Sequence, residues 1–127
     1  MENIENKIFG KEDLKEEFLS DLREEISKRL NYCGYDELFK KISPIFCVNH
    51  LSIDNNKTFK NKTIEYLLEY FVNEHSNIRY SIEEIGNIIT GRIVKIFSVA
   101  RASTYDDRVL EKYKPLLLAA FGFTEDC

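Results

Sequence analysis

An all-α bundle is the fold class the sequence predicts, and three observations predict it. Leu14, Phe18, Leu22, Ile26 and Leu30 recur at every fourth position, the spacing of one helix face. Ile64, Leu67, Leu68, Phe71, Val72 and His75 follow the i, i+3, i+4, i+7, i+8, i+11 template of a second face. Ser81 and Glu84 form the S-x-x-E pattern that caps a helix reciprocally, and the longest apolar stretch of the chain follows them.

Taken in order, the first helix is expected from Lys11 to Asn31, with Glu24–Lys28 and Glu25–Arg29 as i, i+4 pairs on its wet side. Gly34 interrupts it, and Tyr35 to Ile42 forms a second segment with Leu38, Phe39 and Ile42 inward. Pro44 lacks an N–H and fixes φ, so it kinks this helix or opens a new turn. Ile45 to Ile53 is open between short helix and strand, and Asp54-Asn55-Asn56-Lys57 reads as a loop. A third helix runs from Thr63 to His75. The fourth, from Ile82 to about Ala102, has apolar residues on more than one face and is expected to be central, with other helices around it. Gly86 and Gly91 each cost about 1 kcal/mol inside a helix, which points to a close backbone approach. Thr104 with Asp107 suggests the next N-cap, Lys114-Pro115 a break or kink, and Gly122 the stop.

The 127 residues carry 18 Lys+Arg and 22 Asp+Glu, a net charge of -4. That balance argues against a nucleic-acid binder of the whole-surface kind, and a single domain over residues 1–127 is expected, with residues 1–10 as a candidate disordered start. Met1 to Gly10 contains no apolar run of a signal peptide, so the N-glycosylation patterns at Asn56 and Asn61 carry no weight, and an intracellular, cytoplasmic protein without a membrane span is expected. Cys33, Cys47 and Cys127 are widely spaced, fitting reduced thiols. His50 and His75 lack the partners of a metal site. No phosphate-binding glycine loop and no nucleophile elbow occurs. The expectation is a protein that is not an enzyme and uses neither metal nor cofactor.

The fourth helix contains Thr90-Gly91-Arg92-Ile93-Val94-Lys95-Ile96-Phe97-Ser98-Val99-Ala100-Arg101-Ala102. This run resembles the first homology motif of the Bcl-2 family of apoptosis regulators, which reads Asn-Trp-Gly-Arg before an apolar helix. Ile82-Glu83-Glu84-Ile85 resembles the helix that precedes that motif. Lys114-Pro115-Leu116-Leu117 through Gly122-Phe123 resembles the second motif, and Leu30, Cys33, Gly34 and Asp36 weakly resemble the core of the pro-death motif. The likeness covers about residues 82–123, and 30–43 faintly. Ile89-Thr90 replaces the family's Asn-Trp, and the interval from Ala102 to Tyr113 is short for the second helix of a central hairpin. Ile (14), Asn (10) and Lys (12) usage fits an AT-rich genome, such as that of a large DNA virus or of many bacteria.

The resemblance implies a short Bcl-2-like bundle with a hydrophobic central helix and a reduced C-terminal part. It implies a viral pro-survival protein in the host cytoplasm, peripheral to mitochondria, that sequesters pro-apoptotic family members by their death-motif helix, with a homodimer also allowed by the family. In helix-in-groove recognition Arg92 would pair the ligand's Asp, the planar fork suiting a carboxylate, and Gly91 would let the ligand backbone come close. Ile85, Ile88, Ile89, Val94 and Phe97 would form one wall, with Leu38, Phe39, Leu67 and Phe71 opposite. Alternatives are a viral member with a closed groove acting on innate immune signalling, and an acidic immunity or inhibitor protein that binds a basic toxin through Glu16, Glu17 or Glu24. A helical ribonuclease would need an Arg followed by a suitably spaced His, which the sequence lacks. Residues 86–114 hold six basic and three acidic side chains. Helix C-termini, whose dipole attracts cations, explain that excess more simply than a nucleic-acid patch does.

Overall fold

The computed structural model describes residues 16–46, 53–75 and 80–122. Among them the chain forms five α-helices: α1 (Glu16–Tyr32), α2 (Tyr35–Ile42), α3 (Ile53–Glu74), α4 (Ile82–Ser103) and α5 (Asp107–Phe121), with a 3-10 turn at Ser43–Phe46. The all-α expectation is met. Leu14, residues 1–10 and most of the ambiguous 45–53 stretch lie outside the described residues, as do Cys47, His50 and Cys127.

Each helix begins and ends for a local reason. Gly34 has φ 88°, a conformation side chains resist, so the chain turns there from α1 into α2. Ser43-Pro44 opens the 3-10 turn, Pro standing where its missing N–H costs nothing. The Ser81–Glu84 capping box forms as expected, with the Glu84 N–H donating to the Ser81 hydroxyl at 3.1 Å and the Ser81 N–H to the Glu84 carboxylate at 2.8 Å. Gly122 closes α5 at φ 69°.

Three boundaries differ from expectation. Asp54 to Lys57 belongs to α3 and not to a loop. The first-turn N–H groups of a helix have no intrahelical partner, so polar residues sit there without penalty. The cap of α5 is Asp106, whose carboxylate accepts the Arg108 N–H at 2.9 Å, while Thr104 ends α4. Helix α5 runs on through Pro115: one lost hydrogen bond is outweighed by Leu117, Ala120 and Phe121, all fully buried.

α4 touches all four other helices, which makes it the central element. Its Ile85, Ile89, Ile93, Ile96, Phe97 and Ala100 are buried. It is not wholly enclosed, however. Asn87, Gly91, Val94 and Ser98 leave one strip of it open. The core gathers at Tyr35, whose ring centroid lies 6.1 Å from Phe39, 6.2 Å from Phe97 and 5.9 Å from Phe121. Three helices thus meet on one aromatic side chain. Its hydroxyl is buried without a hydrogen bond of good geometry; the Thr63 hydroxyl beside it donates to the Phe59 carbonyl at 2.9 Å and offers it only a weak acceptor. Burial pushes the phenol pKa well above its ordinary value.

Candidate functional site

The eleven residues singled out by resemblance fall into three groups. Leu38, Phe39, Leu67, Phe71, Ile85, Ile89 and Phe97 are core side chains, none more than 3% exposed. They pack against one another instead of lining a surface, because the apolar spacing that suits a groove wall also suits a core. Ile88 is partly buried, packed on the core edge. Gly91, Arg92 and Val94 stand at the open strip of α4.

Gly91 sits inside a helix of 22 residues, the single element expected from Ile82 to about Ala102. A Cβ built at Gly91 would meet nothing within 4 Å. No contact among the described residues requires a glycine there, although it weakens the helix by about 1 kcal/mol. Gly86 is the opposite case. A Cβ there would come 2.8 Å from the Arg29 guanidinium carbon, so the expected close approach is real, and the approaching group is an arginine. Arg29 donates to Glu25 at 2.8 Å, to Asn87 at 2.7 Å and to Thr90 at 3.2 Å. It clasps α1 to α4 and closes one side of the strip.

Arg92 closes the other side. Its Nη2 donates to the Tyr66 hydroxyl at 2.9 Å, and its guanidinium carbon lies 4.6 Å from the centre of the Tyr70 ring, a cation–π geometry. Its Nε is buried and has no hydrogen-bond partner. Neither contact brings a negative charge, and a half-buried cation held by a phenol and a ring leaves much of its charge uncompensated. Tyr66 and Tyr70 were not singled out in the sequence. Their i, i+4 spacing on the polar flank of the third helix was the available signal.

Two hollows adjoin the strip on the α1–α2 side. One of about 350 Å³ is lined by Glu25, Lys28, Arg29, Tyr32, Cys33 and Thr90. The other, about 270 Å³, has Lys41, Arg101 and Glu37 on its wall and shares Tyr32 and Cys33 with the first. Arg101 donates to the Cys33 carbonyl at 3.2 Å, capping the end of α1. A separate, shallower depression of about 680 Å³ lies between α3 and α5, reached by Tyr66 and Lys62.

Among the described residues no group of His, Cys, Asp or Glu gathers where it could hold a metal ion. Nor is any helix long and apolar enough to cross a membrane. No family model matches the chain, and no curated protein or solved structure is significantly similar to it.

Proposed function

We propose that this chain binds the amphipathic helix of a partner protein along the open strip of α4, with Arg92 pairing a carboxylate of that helix. The biological role that best suits this mode is inhibition of apoptosis by sequestration of pro-apoptotic proteins, in the manner of a short, divergent viral Bcl-2-like protein. The observation that carries the reading is Arg92: a half-buried guanidinium with no acid paired to it among the described residues, carrying an unpartnered Nε, next in sequence to an open glycine. A partner carboxylate would compensate the charge, and the absence of a Cβ at Gly91 would let its backbone approach. Seven of the expected wall residues are core, so the partner rests on the strip and its rims and does not wedge between helices.

Calorimetric titration with a panel of synthetic pro-death-motif peptides tests this. Binding in the sub-micromolar range is expected for at least one peptide. Removing a buried interfacial charge partner costs ~2–5 kcal/mol, so Arg92→Ala is expected to weaken binding by roughly two decades, at about 1.4 kcal/mol per decade. Equal affinity of the two proteins would remove Arg92 from the site.

A second reading is favoured by the same seven buried side chains. A Bcl-2-like protein whose groove is closed would spend its wall residues on the core and act through another face, as a modulator of innate immune signalling. In that case no pro-death peptide binds, while the protein remains folded and monodisperse.

A further inference from the structure

We infer that the two hollows beside α1 form one basic track for a single-stranded nucleic acid. Bases stack on Tyr32 and Tyr105, and phosphates are held by Lys28, Lys41 and Arg101. Arg101 lies on the opposite side of α4 from Arg92, so the track goes beyond the reading above and does not depend on it.

The first observation is that the hollows are continuous. They share Tyr32 and Cys33, and each also reaches α4, one at Thr90 and the other at Arg101. Thr90 and Arg101 are eleven positions apart on one helix, about three turns, and therefore on the same side of it. They stand roughly 16 Å apart along the axis at ~1.5 Å per residue. The track follows α4 from Thr90 to its end. Tyr105 stands in the turn beyond, where its hydroxyl accepts from Lys41 of the smaller hollow at 3.2 Å.

The second observation is aromatic surface. Tyr32 (93%) and Tyr105 (79%) are the most exposed large hydrophobic side chains among the described residues, and both belong to this track. Lys41 lies over the Tyr105 ring, 5.2 Å from its centre. A ring this exposed adds almost nothing to the core, and alone it would mean little. Rings set among cations are what hold a single strand: bases stack on them while the cations follow the backbone, whatever the sequence.

The third is charge. The chain carries a net charge of -4, yet the walls of the hollows hold Lys28, Arg29, Lys41 and Arg101 against Glu25 and Glu37. Glu25 is taken by Arg29, which leaves three cations and one acid. Arg101 donates to the Cys33 carbonyl and Lys41 to the Tyr105 hydroxyl, and both have further donors. Helix C-termini account for such cations singly, but not for two solvent-facing rings among them. An acidic protein segment would use the same charges, yet tight protein docking needs an apolar anchor in a pocket. Leu38, the aliphatic side chain on these walls, is itself buried.

The test is fluorescence anisotropy of labelled ten-nucleotide strands, oligouridylate and oligothymidylate, titrated with the full chain. Both are expected to bind with Kd between about 1 and 100 µM at physiological salt, the range of sequence-independent binding, the tighter one naming the sugar. Log affinity should fall against log salt with a slope of about -2, three phosphates at ~0.7 each. Tyr32→Ala, at an almost wholly exposed side chain, should weaken binding roughly ten-fold through lost stacking. Lys41→Gln should weaken it and flatten the slope by about 0.7, whereas Lys62→Gln, the same charge loss on α3, should change neither. No binding, wild-type binding by Tyr32→Ala, or equal effects at Lys41 and Lys62 would overturn the track. A duplex bound as tightly as the strands would also overturn it, since paired bases cannot stack on the rings. Equal, Tyr32-dependent binding of polyglutamate would replace the strand with an acidic protein segment. None of these outcomes bears on the pro-death-peptide titration, so the two readings can fail separately.

Discussion

The guanidinium of Arg29 lies across Gly86 so closely that a Cβ there would stand 2.8 Å from its Cζ and Nε. One arginine on α1 thereby reaches the backbone of α4 and holds Asn87 and Thr90 as well. The missing side chain at position 86 is what permits the clasp.

Gly86→Ala is accordingly expected to push the Arg29 guanidinium, the far end of a flexible side chain, out of its place, so that a helix-propensity gain of about 1 kcal/mol is offset by the lost hydrogen bonds to Asn87 and Thr90. Paired with Arg29→Ala, the propensity gain should appear in full, because the clasp is already gone. Urea unfolding of the two single variants and the double variant measures the coupling; strictly additive changes would mean that Arg29 moves aside without cost.

At Gly91 the sign reverses. With nothing within 4 Å of a new Cβ, Gly91→Ala should stabilise by roughly 0.5–1 kcal/mol through helix propensity and a less free unfolded chain. The same variant should bind a partner helix more weakly if the glycine serves close approach. A thermal melt and a titration on one preparation separate the two effects.

Tyr35→Phe removes a hydroxyl that is buried without a hydrogen bond of good geometry while keeping the ring at the centre of the core. Losing a poorly satisfied polar group is neutral or favourable, so stability should stay within ~0.5 kcal/mol of wild type or rise. Phe97→Ala, at the same cluster, should cost about 3–5 kcal/mol. A large loss in Tyr35→Phe would reveal a strong hydrogen bond at that hydroxyl.

Asp106 gives a pH signature. Its carboxylate accepts the Arg108 backbone N–H and faces the Arg108 guanidinium, which together hold its pKa below the ordinary value. A depressed folded-state pKa stabilises above the unfolded value, near pH 4, and that contribution disappears as pH falls through the lower folded value. Asp106→Asn keeps an acceptor for the cap but has no charge to lose, so its stability should decline less below about pH 4. Parallel acid-unfolding curves of the two proteins check the difference.

Much of this architecture was legible in residue spacing. The four-residue repeat through Leu22, Ile26 and Leu30 marks the buried side of α1, and Ser81 with Glu84 sets the first turn of α4 to the residue. The start of α3 was not legible, because Asp54, Asn55 and Asn56 are as common in turns as in first helical turns, and only tertiary packing decides between them. Arg92 stands out in the sequence as a cation inside an apolar run. Its contacts do not, since no local pattern tells that Tyr66 and Tyr70 of another helix will lie across it. Nor does spacing distinguish a groove wall from a core, and Ile85, Ile89 and Phe97 went to the core.

Helix α2 has eight residues, too few to be stable as an isolated helix in water. Half of them, Tyr35, Leu38, Phe39 and Ile42, are buried, and Tyr35 holds the rings that arrive from α4 and α5. The shortest of the described α-helices therefore cannot open by itself without exposing the centre of the molecule. Its amides should exchange with solvent deuterium only as fast as those of α4, both limited by global unfolding. The least self-sufficient segment is thus the one that ties the bundle into a single cooperative unit.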